Sequence, residues 1–408
     1  MKRRTSGHLR VAMYFEGRDP GGTTGVIEPL IRALSRDMHI VLIHSDVSSI
    51  REWAESLRSP DIDIAAVALR NYGGWLGWFE ISKLLRMALI FRRMDSVHFH
   101  LHAPFAGIPA ILLARVLSCR CLTTEHYISQ IRHLRRRPLP SLLRAIREAR
   151  IAVQMLSKRL SVRAIESIVA VSIANGQYIT ELFGPSVQSK LVVVANGIDV
   201  QRFSQADETQ GRAALRSFVP AGTSHVVLTV AGFNNQKGHR YLLQAISRVV
   251  TIHPDASFVF VGDGHLRPEL EALASLLEIR SRVVFVGHRN DVPDLLAGTD
   301  LFVLPSLFEG MPLSVLEAMA ANKAVVATNV DGTSEIVVNG ETGILVQPGN
   351  AGSLAEAISA MLGDKQLREQ FGKAGGDRVR KLYTSQVMIA GYQSLYDMVA
   401  KTILGVPG

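Results

Sequence analysis

The sequence predicts an α/β protein built from two doubly wound parallel sheets. Three observations carry this. The chain has 408 residues, enough for two domains of about 200 residues each with its own core. Short apolar blocks alternate with helical patterns from end to end, the signature of parallel sheets with crossover helices. Each half also opens on a strand followed by a turn that contains glycine.

In the first half, HLRVAMYF reads as a strand, the loop after it holds Gly21, Gly22 and Gly25, a helix follows around residues 26–37, and a second strand covers 39–44. Such a βαβ opening brings bare backbone N–H groups to a helix N-terminus, where anions bind. Gly21 and Gly22 are therefore candidates for an acceptor or phosphate loop, although GGTTG alone is a weak motif. SVHFHLH (96–102), RCLTTEH (120–126) and SIVAVS (167–172) supply further strands. Between the halves, Asn196-Gly197 marks a turn and the polar run 204–211 reads as linker. The second half repeats the scheme with HVVLTVAGFNNQKGHRYLLQAI (225–246), SFVFVGDG (257–264), RVVFVGH (282–288), DLFVLPS (300–306), AVVAT (324–328) and GILV (343–346). These divisions predict an amino-terminal domain over 1–200, a second over 201–385, and a helix over 386–408 that packs back across both. A crevice between two such domains is the expected ligand site.

Composition narrows the class. Apolar residues make up 47% and charged residues 20%, ordinary for a globular α/β chain and unlike a disordered or fibrous one. The two cysteines, Cys119 and Cys121, lie two residues apart with no metal-like partners nearby, so neither a disulfide framework nor a metal site is expected. No window is apolar enough for a spanning helix, and MKRRTSGHLRVAMYF is too polar for a signal-peptide core. A cytoplasmic protein, soluble or peripheral on the membrane, is the expectation.

Net charge is +9, and it is unevenly spread: residues 1–200 hold 27 Lys and Arg against 16 Asp and Glu, residues 201–408 hold 18 against 20. Within the first half, residues 130–163 carry ten basic groups, from Arg132 to Arg163, against Glu148 alone. Interleaved with leucine and isoleucine, such a segment suits an anionic membrane surface or a phosphorylated acceptor. A solvated basic helix is the plain alternative. No groove-reading motif or run of stacking aromatics accompanies it, so nucleic acid is not an expected partner.

One stretch concentrates chemistry. In DLFVLPSLFEGMPLSVLEAMA (300–320), a buried strand ends at Pro305 and a helix begins near Pro312, which places Glu309 in the loop and Glu317 in the first two helical turns. Loops at strand carboxyl ends line the ligand crevice of an open α/β sheet. The stretch alone is equally compatible with a solvated loop acid and a surface helix acid.

Taken in order, PGGTTG, TTEH, VAVS, NGID, QKG, VGDG, FVGH, the two glutamates eight apart in PSLFEG…LEAMA, and NGETGILV make the chain resemble the family 4 (group 1) glycosyltransferases, nearly end to end. The resemblance implies a retaining enzyme of GT-B architecture, with two Rossmann-like domains facing each other across a cleft. It implies a nucleoside diphosphate sugar as co-substrate, with no other cofactor and no metal. Carried over residue by residue, it assigns Glu317 to the donor ribose and Glu309 to the sugar hydroxyls near the reacting face. The backbone of Gly310, Met311, Pro312 and Leu313 would hold the donor sugar, Lys237 the diphosphate, and His126 would approach the sugar from the first domain. Catalytic roles would thus fall to His126, Glu309 and Lys237. Lys237 as an ordinary loop lysine and His126 as a structural histidine remain open alternatives. One position departs from the pattern: Gly232 stands where the family usually carries an arginine aimed at the diphosphate. Arg240 and Arg18 are candidate substitutes. The implied acceptor is a lipid-linked or cell-surface glycan precursor. A non-catalytic homologue that binds nucleotide or glycan for a partner enzyme is the rival that Gly232 motivates, and an epimerase of similar architecture is a third.

Overall fold

The computed structural model describes residues 9–15, 22–44, 48–66, 81–101, 108–126 and 141–404. They fall into two units, Met1–Ala195 with Met388–Gly408, and Asn196–Val387.

The first unit holds β1 (Leu9–Phe15), β2 (Met38–His44), β3 (Ile62–Ala66), β4 (Ser96–Leu101), β5 (Arg120–Glu125), β6 (Ser167–Ala170) and β7 (Leu191–Val193). They form a parallel sheet in the order β3-β2-β1-β4-β5-β6-β7. Central strand β4 is buried along its whole length and β1 from Val11 to Phe15, because both of their faces are covered. The second unit holds β8 (His225–Val230), β9 (Ala256–Val261), β10 (Val283–Gly287), β11 (Leu301–Leu304), β12 (Val325–Thr328) and β13 (Gly343–Val346), all parallel in the order β10-β9-β8-β11-β12-β13. Strand order therefore reverses between β1 and β4 in one sheet and between β8 and β11 in the other. Loops at the carboxyl ends of strands at such a switch point are where open α/β sheets bind ligands. This is the Rossmann-like pair of the GT-B architecture.

Three local expectations are corrected. The first helix runs Gly22–Leu34, a turn earlier than apolar spacing indicates, because its first four residues, Gly22 to Gly25, carry no apolar side chain to mark it. The run 204–211 is not linker: helices Val200–Ser204 and Glu208–Phe218 occupy most of it, and the polar residues that suggested a linker include the cap Asp207, whose carboxylate accepts from the Gln210 amide. β3 and β7 went unrecognised, the one because Asp63 interrupts it and the other because it is three residues long.

The helix Ser385–Leu404 belongs mostly to the first unit. Its Tyr392 and Tyr396 are fully buried there. Tyr396 Oη is 2.7 Å from His98 Nδ1 on β4, and Tyr392 Oη is 3.1 Å from Thr124 Oγ1 on β5. Cys119 and Cys121 are free, buried thiols, pushed up to about 11 and about 12 by burial.

Candidate functional site

The loops that leave β8 and β11 come together in the second unit. After β8 the chain makes one 3-10 turn, Asn235–Lys237, capped by the Asn234 side chain accepting from the Lys237 amide. It then enters helix His239–Ile252 through Gly238. Gly238 has φ +65°, and a Cβ there would strike the Pro305 carbonyl, so only glycine lets the two loops lie against each other. The Leu307 amide seals the contact by donating to the Gln236 carbonyl at 2.7 Å.

This contact sets Lys237 against Glu309. Lys237 Nζ lies 2.6 Å from Glu309 Oε1, which also accepts from Ser306 Oγ at 2.6 Å. Gln236 Nε2 donates to Glu309 Oε2 at 3.3 Å and to the Phe308 carbonyl at 3.0 Å. Glu309 is buried, and charge-assisted bonds of this kind compensate a carboxylate for lost water. Ser306 is itself fully buried, and its carbonyl accepts from Thr328 Oγ1 on β12. The carboxylate is thus tied to both neighbours of its own strand.

The loop then passes Gly310 and Met311 to Pro312, the N-cap of helix Leu313–Ala320. Proline offers no side-chain acceptor, and no side chain caps this helix, so its first amides and dipole end remain available to an anion. Two contacts pin the loop. Asn196 Nδ2 donates to the Met311 carbonyl at 3.4 Å while its amide approaches Met311 Sδ at 3.1 Å, and Gly332 packs so closely on Gly310 that a Cβ would overlap its carbonyl.

Glu317 lies one helical turn on. The residue is half-buried, and burial pushes its carboxyl up to about 7; the Arg202 charge opposes this. In the first unit, His126 ends β5, its amide donating to Leu101 O at 3.1 Å. Burial brings its imidazole down to about 4, so it is neutral at physiological pH. Its ring centroid is 5.9 Å from that of His100.

Two family models match. Glycosyltransferase Family 4 covers residues 20–202, and Glycosyl transferases group 1 covers residues 213–378. The chain belongs to the group 1/family 4 glycosyltransferases.

Among relatives, the Alpha-D-kanosaminyltransferase of Streptomyces kanamyceticus is 33% identical over 42% of this chain and 45% of that protein. The UDP-Gal:alpha-D-GlcNAc-diphosphoundecaprenol alpha-1,3-galactosyltransferase of Escherichia coli is 32% identical over 44% and 46%. The chain thus spans about half the length of these curated relatives. The crystal structure of Anabaena Alr3699/HepE in complex with UDP and glucose superposes with a TM-score of 0.79, at 18% identity over 96% of this chain and 100% of that one. At that identity the likeness is one of fold.

Of the residues singled out for a family 4 glycosyltransferase, Lys237 and Glu309 are brought into direct contact, and Gly310, Met311, Pro312 and Leu313 form one continuous loop and helix start beside them. Glu317 lies on the helix that this loop enters, one turn beyond Leu313. Gly232 lies in the loop after β8, where a Cβ would make ordinary contacts at 3.6 Å or more. Arg240 is exposed at the start of its helix. Gly22 opens helix Gly22–Leu34; Gly21 and Arg18 lie outside the described residues. Lys158, counted with the basic surface, is instead fully buried with its Nζ 2.6 Å from Glu125 Oε1. Sequence reasoning missed Ser306, Gln236, Asn196 and Arg202 as site partners. Ser306 and Gln236 sit inside the very motifs that carry the resemblance, and only their position beside Glu309 in space gives them a role.

Proposed function

We propose that the protein transfers a glycosyl group from a nucleoside diphosphate sugar to an acceptor hydroxyl, with retention at the anomeric carbon and without a metal. The observation that carries this is the Lys237–Glu309–Ser306 cluster at the carboxyl ends of β8 and β11, beside an uncapped helix N-terminus.

Each part of such a donor finds chemistry that suits it. Lys237 and the amides of the helix Leu313–Ala320 meet the diphosphate and the charge that grows on it as it departs. Glu309 accepts from sugar hydroxyls, and in its carboxylate form Glu317 accepts from the ribose diol. In the reaction, the bond from the anomeric carbon to the β-phosphate oxygen breaks while the acceptor oxygen bonds on the same face. The acceptor proton passes to the leaving phosphate, so the protein supplies position and charge. A neutral His126 offers hydrogen bonds to the sugar without adding a cation. The Escherichia coli relative's name specifies UDP-Gal and an alpha-D-GlcNAc-diphosphoundecaprenol acceptor, which supports a lipid-linked glycan precursor as the acceptor class.

A second reading, a non-catalytic homologue that binds nucleotide or glycan for a partner enzyme, is favoured by Gly232 alone. A thermal-shift panel of nucleotide sugars identifies the donor, because a ligand of the folded state raises apparent stability. NMR of the product made from an α-linked donor then tests the stereochemistry: a β-linkage refutes retention, and donor binding without turnover on any acceptor supports the second reading.

A further inference from the structure

We infer that three neighbouring helices of the first unit form a docking face for an anionic lipid bilayer. Helices Ile81–Phe91, Ile108–Val116 and Ser141–Ala164 feed the same core, and the second packs against both of the others. At 100° per residue, the inward residues of each helix define which side faces away. In the first helix Met87 and Phe91 are buried, and Leu85 and Leu89 fall opposite them. In the second, Ile111 and Ala114 point in while Leu112 and Val116 point out. In the third, Ile151, Met155 and Val162 point in while Val153, Leu156 and Leu160 point out. The outward set ranges from 41% exposed at Leu112 to 79% at Val116.

Single exposed leucines are ordinary, but aliphatic residues at helical spacing on three adjoining helices make a continuous apolar face. The charge pattern selects its occupant. Among the three helices the sole acidic residue is Glu148, whereas Arg86, Arg115, Arg159 and Arg163 are exposed beside the apolar stripes. Long arginine stems let an apolar face sink among acyl chains while the guanidinium groups stay with phosphate headgroups. A second copy of this chain would set like charge against like. The sequence expectation of a membrane contact over 130–163 thereby shifts: residues 130–140 lie outside the described residues, and the outward leucines of three helices carry the surface. The inference stands apart from the transfer reaction, since vesicle binding needs no donor.

The test is flotation of the full chain with vesicles of phosphatidylcholine alone or mixed with phosphatidylglycerol. The wild type should float with the mixed vesicles and not with the neutral ones. Leu89→Ser with Leu156→Ser should lower partitioning at least tenfold with an unchanged melting temperature. Arg159→Ser with Arg163→Ser should lower it and flatten its salt dependence, which keeps the proposal testable if the leucine variant folds poorly. Equal binding to neutral vesicles, or both variants floating like the wild type, overturns it. So does self-association that the leucine variant abolishes without any change in lipid binding, since a second copy would then be the occupant.

Discussion

Replacing Glu317 with glutamine should make the protein more stable and a poorer donor binder, with both effects set by pH. The folded carboxyl titrates near 7 against an ordinary 4.5, because burial disfavours its charged form. Below about pH 4.5 the folded and unfolded states both hold the proton and the group contributes nothing. Between 4.5 and 7 the folded state keeps a proton that the unfolded state has released, so stability falls as pH rises, and above 7 the full penalty applies. At 1.36 kcal/mol per unit the penalty is roughly 3 kcal/mol, and partial solvent access brings it nearer to about 2 kcal/mol. Glutamine is isosteric and uncharged, so it removes the penalty. For a unit of this size, gains of about 2–3 kcal/mol correspond to a melting temperature higher by about 4–10 °C. Calorimetry at pH 8 and pH 4.5 should show the gain at the first and almost none at the second. A variant equally or less stable than wild type at pH 8, or a gain independent of pH, refutes the reasoning. If Glu317 accepts from the ribose as a carboxylate, wild-type donor affinity should also weaken as pH falls through 7, and Glu317→Gln should abolish that dependence.

Four other outcomes follow from the same contacts. Glu309→Gln keeps the shape of the loop but removes the charge facing Lys237 and Ser306; kcat/KM should fall by about 100-fold or more, and steady-state kinetics within threefold of wild type would falsify the role given to this acid. Gly232→Arg has room at Cβ and restores a second cation, so isothermal titration should show several-fold tighter binding of the nucleoside diphosphate; weaker binding would mean that the loop has no use for one. Tyr396→Phe deletes the hydroxyl bonded to His98 and should cost about 1–3 kcal/mol by denaturant unfolding, because a buried ring nitrogen is left unsatisfied. Lys158→Met strands the Glu125 carboxylate in a dry interior and should cost about 3–5 kcal/mol; a neutral result would show that water reaches the pair.

What the sequence could and could not disclose follows from the range of the interactions involved. β8 to β13 are legible because each is a short, largely apolar run, and the central strands β9, β11 and β12 are buried throughout. Glu309 and Glu317 are legible because strand, loop and helix lie within twenty residues of one another. The partners of Glu309 are only half legible: Ser306 is three residues away, but Lys237 is 72 residues away, and only the switch point between β8 and β11 joins them. Least legible is the role of Tyr396, 298 residues from its partner His98. Helical spacing marks the residue as inward but cannot name which unit it enters. Lys158 misleads for the opposite reason. A run of basic residues reads as surface, and a single member of the run can be buried where one acid meets it.

The two buried lysine–carboxylate pairs invite different explanations. Desolvating both charges costs several kcal/mol per ion, and apolar replacements of similar volume are often no less stable, so such a pair is weak evidence for stability. Glu125 and Lys158 are nearly or wholly inaccessible, and Glu125 also presents its backbone carbonyl to Asn175 Nδ2 at 2.9 Å, so this pair fixes the end of β5 on which His126 is mounted. Lys237, by contrast, keeps 17% of its side chain accessible while Glu309 keeps 2%. Its ammonium can therefore turn towards an arriving anion while Ser306 and Gln236 continue to hold the carboxylate. A carboxylate that would be stranded without its lysine needs those two extra donors, and a purely structural ion pair would not. The surplus of bonds around Glu309 is what a site requires if its cation must leave one partner for another.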